Sequence, residues 1–293
     1  MEAPARKASS AGGAARPLAI STRTFLGNRF VYAVVSQRAK GLSIGINLNP
    51  DRRCNFDCVY CEVLREEPPQ DTEVDVSVLR AELERMLRLV NEGRVREFPN
   101  YQWLPEEILQ LKEVALSGNG EPTLCPNFTE VVQTVAHVRA RGGFPFFKIV
   151  LITNASGLDR TEVRAGLQVL TPTDEIWAKL DAGTQSYMKR VNRTAVSLEK
   201  ILANILSVAR ERPVVIQSLW PSIEGAEPPD EEIDAFVDRL AELKEAGAQI
   251  SLVQIYSAHR PTLHSGVSHL PLRVLSRIAQ KVRTGTGLRA EVF

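Results

Sequence analysis

From Ser43 onward, short apolar runs alternate with amphipathic stretches, and this alternation limits the fold more than any other feature of the chain. The apolar runs are "LSIGINLNP", "EVALSGNGEP", "FKIVLITN", "DEIWAKLD", "PVVIQSLW" and "QISLVQIY". Each has the length and composition of a buried strand. Between them lie helical stripes, first Phe128, Val131, Val132, Val135 and Val138, later Ile233, Phe236, Val237, Leu240 and Leu243. Pro126 suits the first turn of the former helix and Gly142 its end. Asp159 is the expected cap of the helix in "LDRTEVRAGLQVL", and a last helix is expected from about Leu272 to Val282. Six strands alternating with helices predict a parallel sheet with helical crossovers. Eight such units would need more chain. The expected fold class is therefore α/β, a partial (βα)6 TIM-type barrel whose ligands gather at the C-terminal ends of the strands.

Two segments stand outside this pattern. Residues 1–17, rich in Ala, Gly, Ser and Arg, read as a disordered tail, leaving 18–293 as one core domain. The stretch "VSVLRAELERMLRLV" predicts a helical insertion around residues 75–92, a solvated amphipathic helix covering the sheet. The net charge of +1 gives no electrostatic case for nucleic acid or an anionic membrane. No apolar run is long enough to cross a bilayer, and the N-terminal segment lacks the apolar core of a secretory signal. A cytoplasmic protein is expected.

"CNFDCVYC" places Cys54, Cys58 and Cys61 within eight residues just past the first strand, and the chain has only one other cysteine, Cys125. A closed zinc site normally takes four ligands and a disulfide two. Thiolates are soft donors that suit zinc or an iron–sulfur cluster. A zinc ion completed by a histidine, in a non-catalytic metal-binding protein, and a cluster with one iron left open both fit this spacing.

The C-x-x-x-C-x-x-C loop after the first strand, Tyr60 ahead of its third cysteine and six βα units together resemble the radical S-adenosylmethionine superfamily. The resemblance implies a [4Fe–4S] cluster held by Cys54, Cys58 and Cys61, with S-adenosyl-L-methionine chelating the fourth iron through its amino and carboxylate groups. One electron, from a donor such as flavodoxin or ferredoxin, then splits the sulfonium. The products are methionine and a 5′-deoxyadenosyl radical that abstracts hydrogen from a small-molecule, peptide or protein substrate. Read together with "IWAKLDAGT", "VNRT" and "VQIYSAHRP", these segments are similar to a branch related to the tRNA wybutosine-synthesising enzymes, over nearly the whole chain from about Val31. A tRNA-modifying enzyme is thus the alternative function. Archaeal members carry a further cysteine set near the N-terminus, whereas no cysteine precedes Cys54 here.

The same resemblance assigns roles to the other strand ends. "LSGNGEPTL" is similar to the family's Gly-Gly-Glu-Pro segment, so the backbone of Gly118, Asn119 and Gly120 and the carboxylate of Glu121 are expected at the cosubstrate's ammonium; a plain turn is the rival reading. Thr153-Asn154 resembles the family's Thr-Asn turn, with an Asx turn as its rival. Lys179 and Asp181, two apart at a strand end, point to one side, and either is expected at the ribose hydroxyls or the methionine carboxylate, or both form an ion pair. Gln217 and Ser218 are expected to line the same cavity, and Ile255 to touch the adenine. No residue is assigned to catalysis. Cys125 reads as a buried apolar residue, His137 as exposed, and His259, Arg260, His264 and His269 as loop residues.

Overall fold

In a computed structural model, the structure describes residues 26–63, 72–258, 262 and 264–293. The tail of residues 1–17, His259 and Arg260 lie outside them. Ten strands and eight helices are described: β1 (Val31–Ser36), β2 (Gly41–Asn47), α1 (Val76–Asn91), α2 (Glu106–Leu109), β3 (Leu111–Ser117), α3 (Phe128–Ala140), β4 (Lys148–Thr153), α4 (Thr161–Leu167), β5 (Glu175–Lys179), α5 (Gln185–Val191), α6 (Leu198–Ala209), β6 (Val214–Leu219), β7 (Pro221–Ile223), α7 (Asp230–Glu245), β8 (Ile250–Tyr256), β9 (Val267–His269), α8 (Leu272–Thr286) and β10 (Ala290–Val292).

The six expected strands are β2 to β6 and β8, and they pair in parallel in that order. Two more extend the sheet. Strand β1 pairs antiparallel with β2, and β10 pairs parallel with β8, which makes eight strands in all. Strands β7 and β9 form a separate antiparallel ribbon.

Strand alternation sorts the side chains into two layers. Ile44, Leu116, Leu151, Ile176, Ile216 and Val253 join the helix stripes in the main core. The opposite face carries its own small cluster of Val150, Trp177 and Val215, with Ile152 and Leu252 against it. That second face lines a cavity of about 560 Å³. The β1–β2 hairpin meets the end of β8 beside this cavity, where the Arg38 guanidinium stacks 4.5 Å over the Tyr256 ring.

Helix α1 begins at Asp75, whose side chain accepts from Ser77 N and Val78 N, and it buries Leu79, Leu83, Met86 and Leu87. Its polar face is not wholly solvated. Glu82 is buried and accepts hydrogen bonds from the backbone N–H groups of Arg29, Phe30 and Val31, tying the helix to the start of β1. Asp159 does not cap α4. The helix starts after Arg160, and Asp159 instead accepts from Lys200 and Asn204, an ion pair and hydrogen bond that draw it toward α6. Gly142, at φ +69°, ends α3 as expected.

Candidate functional site

The cysteine loop leaves the end of β2 and is pinned from two sides. On one side, Asp57 N donates to Asn192 O (3.0 Å), Val59 N to Val191 O (2.8 Å) and Thr194 Oγ1 to Asn55 O (2.9 Å), so the "VNRT" segment grips it along its length. On the other side, Glu121 N donates to Arg53 O at 2.9 Å, and Asn55 bonds to both Asn154 and Ser156. Two glycines permit this close approach. A β-carbon on Gly120 would lie 2.0 Å from Arg53 O, and Gly118, at φ +143°, leaves room for Asn47 Oδ1, which accepts from Asn119 N at 2.9 Å.

Cys54, Cys58 and Cys61 are thiols outside any disulfide, and they line the cavity. Two of the sulfurs face N–H donors: Phe56 N lies 3.4 Å from Cys54 Sγ, and Asn192 Nδ2 lies 3.4 Å from Cys58 Sγ. Such donors favour a thiolate over a thiol. Burial outweighs them at Cys58 and pushes its thiol up to about 11. A bound metal centre would therefore have to displace a proton there. Among the described residues no three or more His, Cys, Asp or Glu side chains converge as the ligands of one metal ion. A cluster asks for less convergence, because each thiolate binds a different iron. Three soft, separately placed sulfurs on one loop fit that group.

Of the other expected site residues, Gly118, Asn119, Gly120, Glu121, Thr153, Asn154, Lys179 and Gln217 line the same cavity. Glu121 is buried, and its carboxylate accepts from Thr123 N (3.1 Å), Thr123 Oγ1 (2.7 Å), Thr153 Oγ1 (2.5 Å) and Asn154 N (2.7 Å). Burial raises its pKa, and these four bonds work against that rise. The carboxylate joins the 118–122 turn to the Thr153-Asn154 turn.

Lys179 and Asp181 form the ion pair of the rival reading, Nζ to Oδ2 at 3.9 Å, but only Lys179 lines the cavity. The strand ends at Lys179, so the two-residue alternation no longer governs Asp181. Lys179 reaches the cavity, with Nζ 3.3 Å from the Tyr256 hydroxyl and 4.7 Å from the Tyr60 ring centre. Burial pulls its ammonium down, but Asp181, Tyr256 and Cys58 hold it above the ordinary lysine value. Asp181 lies under the loop. It accepts from Leu219 N (2.8 Å), Asn192 Nδ2 (2.9 Å) and the Tyr60 hydroxyl. Burial, then the Asp181 charge, drive the Tyr60 phenol well above its usual value.

Alternation also places two of the expected residues outside the cavity lining. Ser218 and Ile255 are fully buried and do not line the cavity, whereas Gln217 and Tyr256 do. Cys125 is buried beside Asn127, with its sulfur 3.4 Å from Asn127 Oδ1, and His137 is exposed, both as read from the sequence. Asn192 carries no signal of its own in the sequence as a site residue; only its place in "VNRT" hints at it.

No family model matches the chain. Among solved structures, TYW1 with a lysine-pyruvate adduct bound superposes over 84% of this chain and 74% of its own, at TM-score 0.52 and 19% identity. SuiB of Streptococcus suis, bound to S-adenosylmethionine, covers 88% of this chain and 52% of its own at TM-score 0.56 and 15% identity. A mutant of spore photoproduct lyase covers 90% and 79% at TM-score 0.55 and 12% identity. The chain shares its fold with these three structures. The resemblance read from the cysteine loop and the βα units is borne out at that level.

Among curated relatives, UPF0026 proteins of Helicobacter pylori (strain J99) and Synechocystis (slr1464) are each 28% identical, over 61% and 62% of this chain. The matched regions make up 52% and 60% of those two proteins, so the chain spans little more than half their length.

Proposed function

We propose that this protein is a radical S-adenosylmethionine enzyme, with Cys54, Cys58 and Cys61 as the protein ligands of a [4Fe–4S] cluster. The observation that carries the reading is the placement of the three thiols. They line one cavity together with Lys179 and the Gly118–Gly120 backbone, on the fold shared with the three superposed structures. Loaded with cluster and S-adenosylmethionine, such a site supplies one-electron cleavage of the sulfonium and a 5′-deoxyadenosyl radical for hydrogen abstraction.

The chain's own residues divide the remaining work. Asn192 and the Phe56 N–H steady the sulfurs. The glycine turn lets bare backbone face an ammonium group. Lys179 is the cavity cation suited to a carboxylate, and it is kept protonated by its neighbours. Glu121 and Asp181 hold the loops rather than the ligand. Trp177 and Ile152, from the small apolar cluster on this face, give the cavity an apolar wall. The electron comes from a donor of the flavodoxin or ferredoxin kind, the substrate is a small molecule, peptide or protein side chain, and the location is cytoplasmic. No described helix is long and apolar enough to cross a membrane.

Anaerobic reconstitution followed by reduction with S-adenosylmethionine tests this reading. Formation of 5′-deoxyadenosine above a no-enzyme control is expected, and its absence from cluster-loaded protein would overturn the reading.

A further inference from the structure

The cavity continues from the cysteine loop along the inner face of the sheet to polar groups that have no task in the chemistry above. Glu113, on β3, is 1% exposed. Its Oε1 accepts from Ser43 Oγ at 3.1 Å, while Oε2 is buried with no hydrogen-bond partner among the described residues. Gln217, on β6, is also 1% exposed. It donates Nε2–H to Gln254 Oε1 at 2.8 Å, and its own Oε1 likewise has no partner among them. Both side chains line the cavity.

Against the rise that burial causes, Lys148 and Arg38 draw the Glu113 pKa down through space, but each of the nearby cations has a closer partner. Lys148 pairs with Glu175 at 2.7 Å, Lys179 bonds to Tyr256, and Arg38 stacks on Tyr256. Buried acceptors left empty are costly and rare, so each calls for a donor from outside the chain. Glu113 lies four residues before Ser117 at the carboxyl end of β3, which places it roughly 13 Å farther along the strand. Between them on that face stands Ala115, too small to block the way.

We propose that the substrate carries a protonated amino group that donates N–H to Glu113 Oε2, while Gln217 Oε1 accepts from a second N–H or O–H of the same molecule. This rests on the cavity being the seat of the substrate in the reading above. A cation is favoured over a neutral hydroxyl because a buried carboxylate gains most from an opposite charge. Burial already raises the Glu113 carboxyl above its usual range, the cost that such a cation would relieve.

The test is ligand-observed NMR on the anaerobic, cluster-reconstituted chain at neutral pH, with n-hexylamine and n-hexanol as probes. The amine is expected to bind at least about tenfold more tightly than the alcohol. In Glu113→Gln, checked for folding by its melting transition, that preference is expected to vanish. Equal binding of amine and alcohol by the unaltered protein overturns the inference and needs no variant. So does an undiminished preference in folded Glu113→Gln. Measuring 5′-deoxyadenosine in the same preparation separates the two readings. Product without amine preference overturns only this inference, and amine preference without product overturns only the earlier one.

Discussion

Asn192 divides one buried side-chain amide among Cys58 Sγ, the Tyr60 hydroxyl and Asp181, and its backbone carbonyl holds Asp57 N as well. Asn192→Ala would leave Asp181 and the phenol short of a partner in a water-poor wall. We expect a loss of about 1–3 kcal/mol in folding stability, read by denaturant titration. Burial also pushes the thiols of Cys58 and Cys125 up to about 11. Unfolded thiols ionise near pH 8.5, so between there and pH 11 the unfolded chain sheds protons that the folded chain keeps. Metal-free protein should therefore lose stability as pH rises through that window, by up to roughly 1.4 kcal/mol per pH unit per thiol, and Cys125→Ala should lessen the slope. A flat melting temperature from pH 8.5 to 10.5 would contradict this. The three loop cysteines were legible because thiols are scarce and closely spaced. Asn192 and Glu113 were not, because one polar residue carries no periodicity, and only the fold reveals that each is buried.

Six parallel strands were legible because each is an apolar run between amphipathic helices. Strands β7, β9 and β10 are three residues long, too short for any pattern, and their pairing depends on partners distant in sequence. Contacts at strand ends were the least legible part, since alternation stops where the strand stops: Asp181 pairs with Lys179 yet stays outside the cavity that Lys179 lines. Two glycines distinguish rigid from yielding joints. Gly120→Ala would drive a β-carbon into the Arg53 carbonyl, a backbone atom whose neighbours hold the cysteine loop. We expect it to cost roughly 1–3 kcal/mol and to speed alkylation of Cys54. Gly45→Ala would instead meet the Tyr32 ring, which crosses it to bond Ser117 at 2.9 Å. Shortening that ring in Gly45→Ala/Tyr32→Ala should recover part of the single-variant loss, and strict additivity in the cycle would contradict the packing argument.

At the scale of the whole molecule, the sheet does one thing repeatedly: each crossover returns the chain so that the next strand end arrives at the same rim. That is why residues as distant in sequence as Cys54, Gly118, Asn154, Lys179 and Tyr256 line one cavity. The hairpin bearing Arg38 adds a wall from the opposite side. The most direct measurement is electron paramagnetic resonance of the anaerobically reconstituted, reduced protein, with iron and sulfide counted on the same sample. About four irons and four sulfides per chain are predicted, with a reduced-cluster signal that changes when S-adenosylmethionine is added and disappears in Cys58→Ala. One zinc per chain without sulfide, or a cluster signal indifferent to S-adenosylmethionine, would contradict the account.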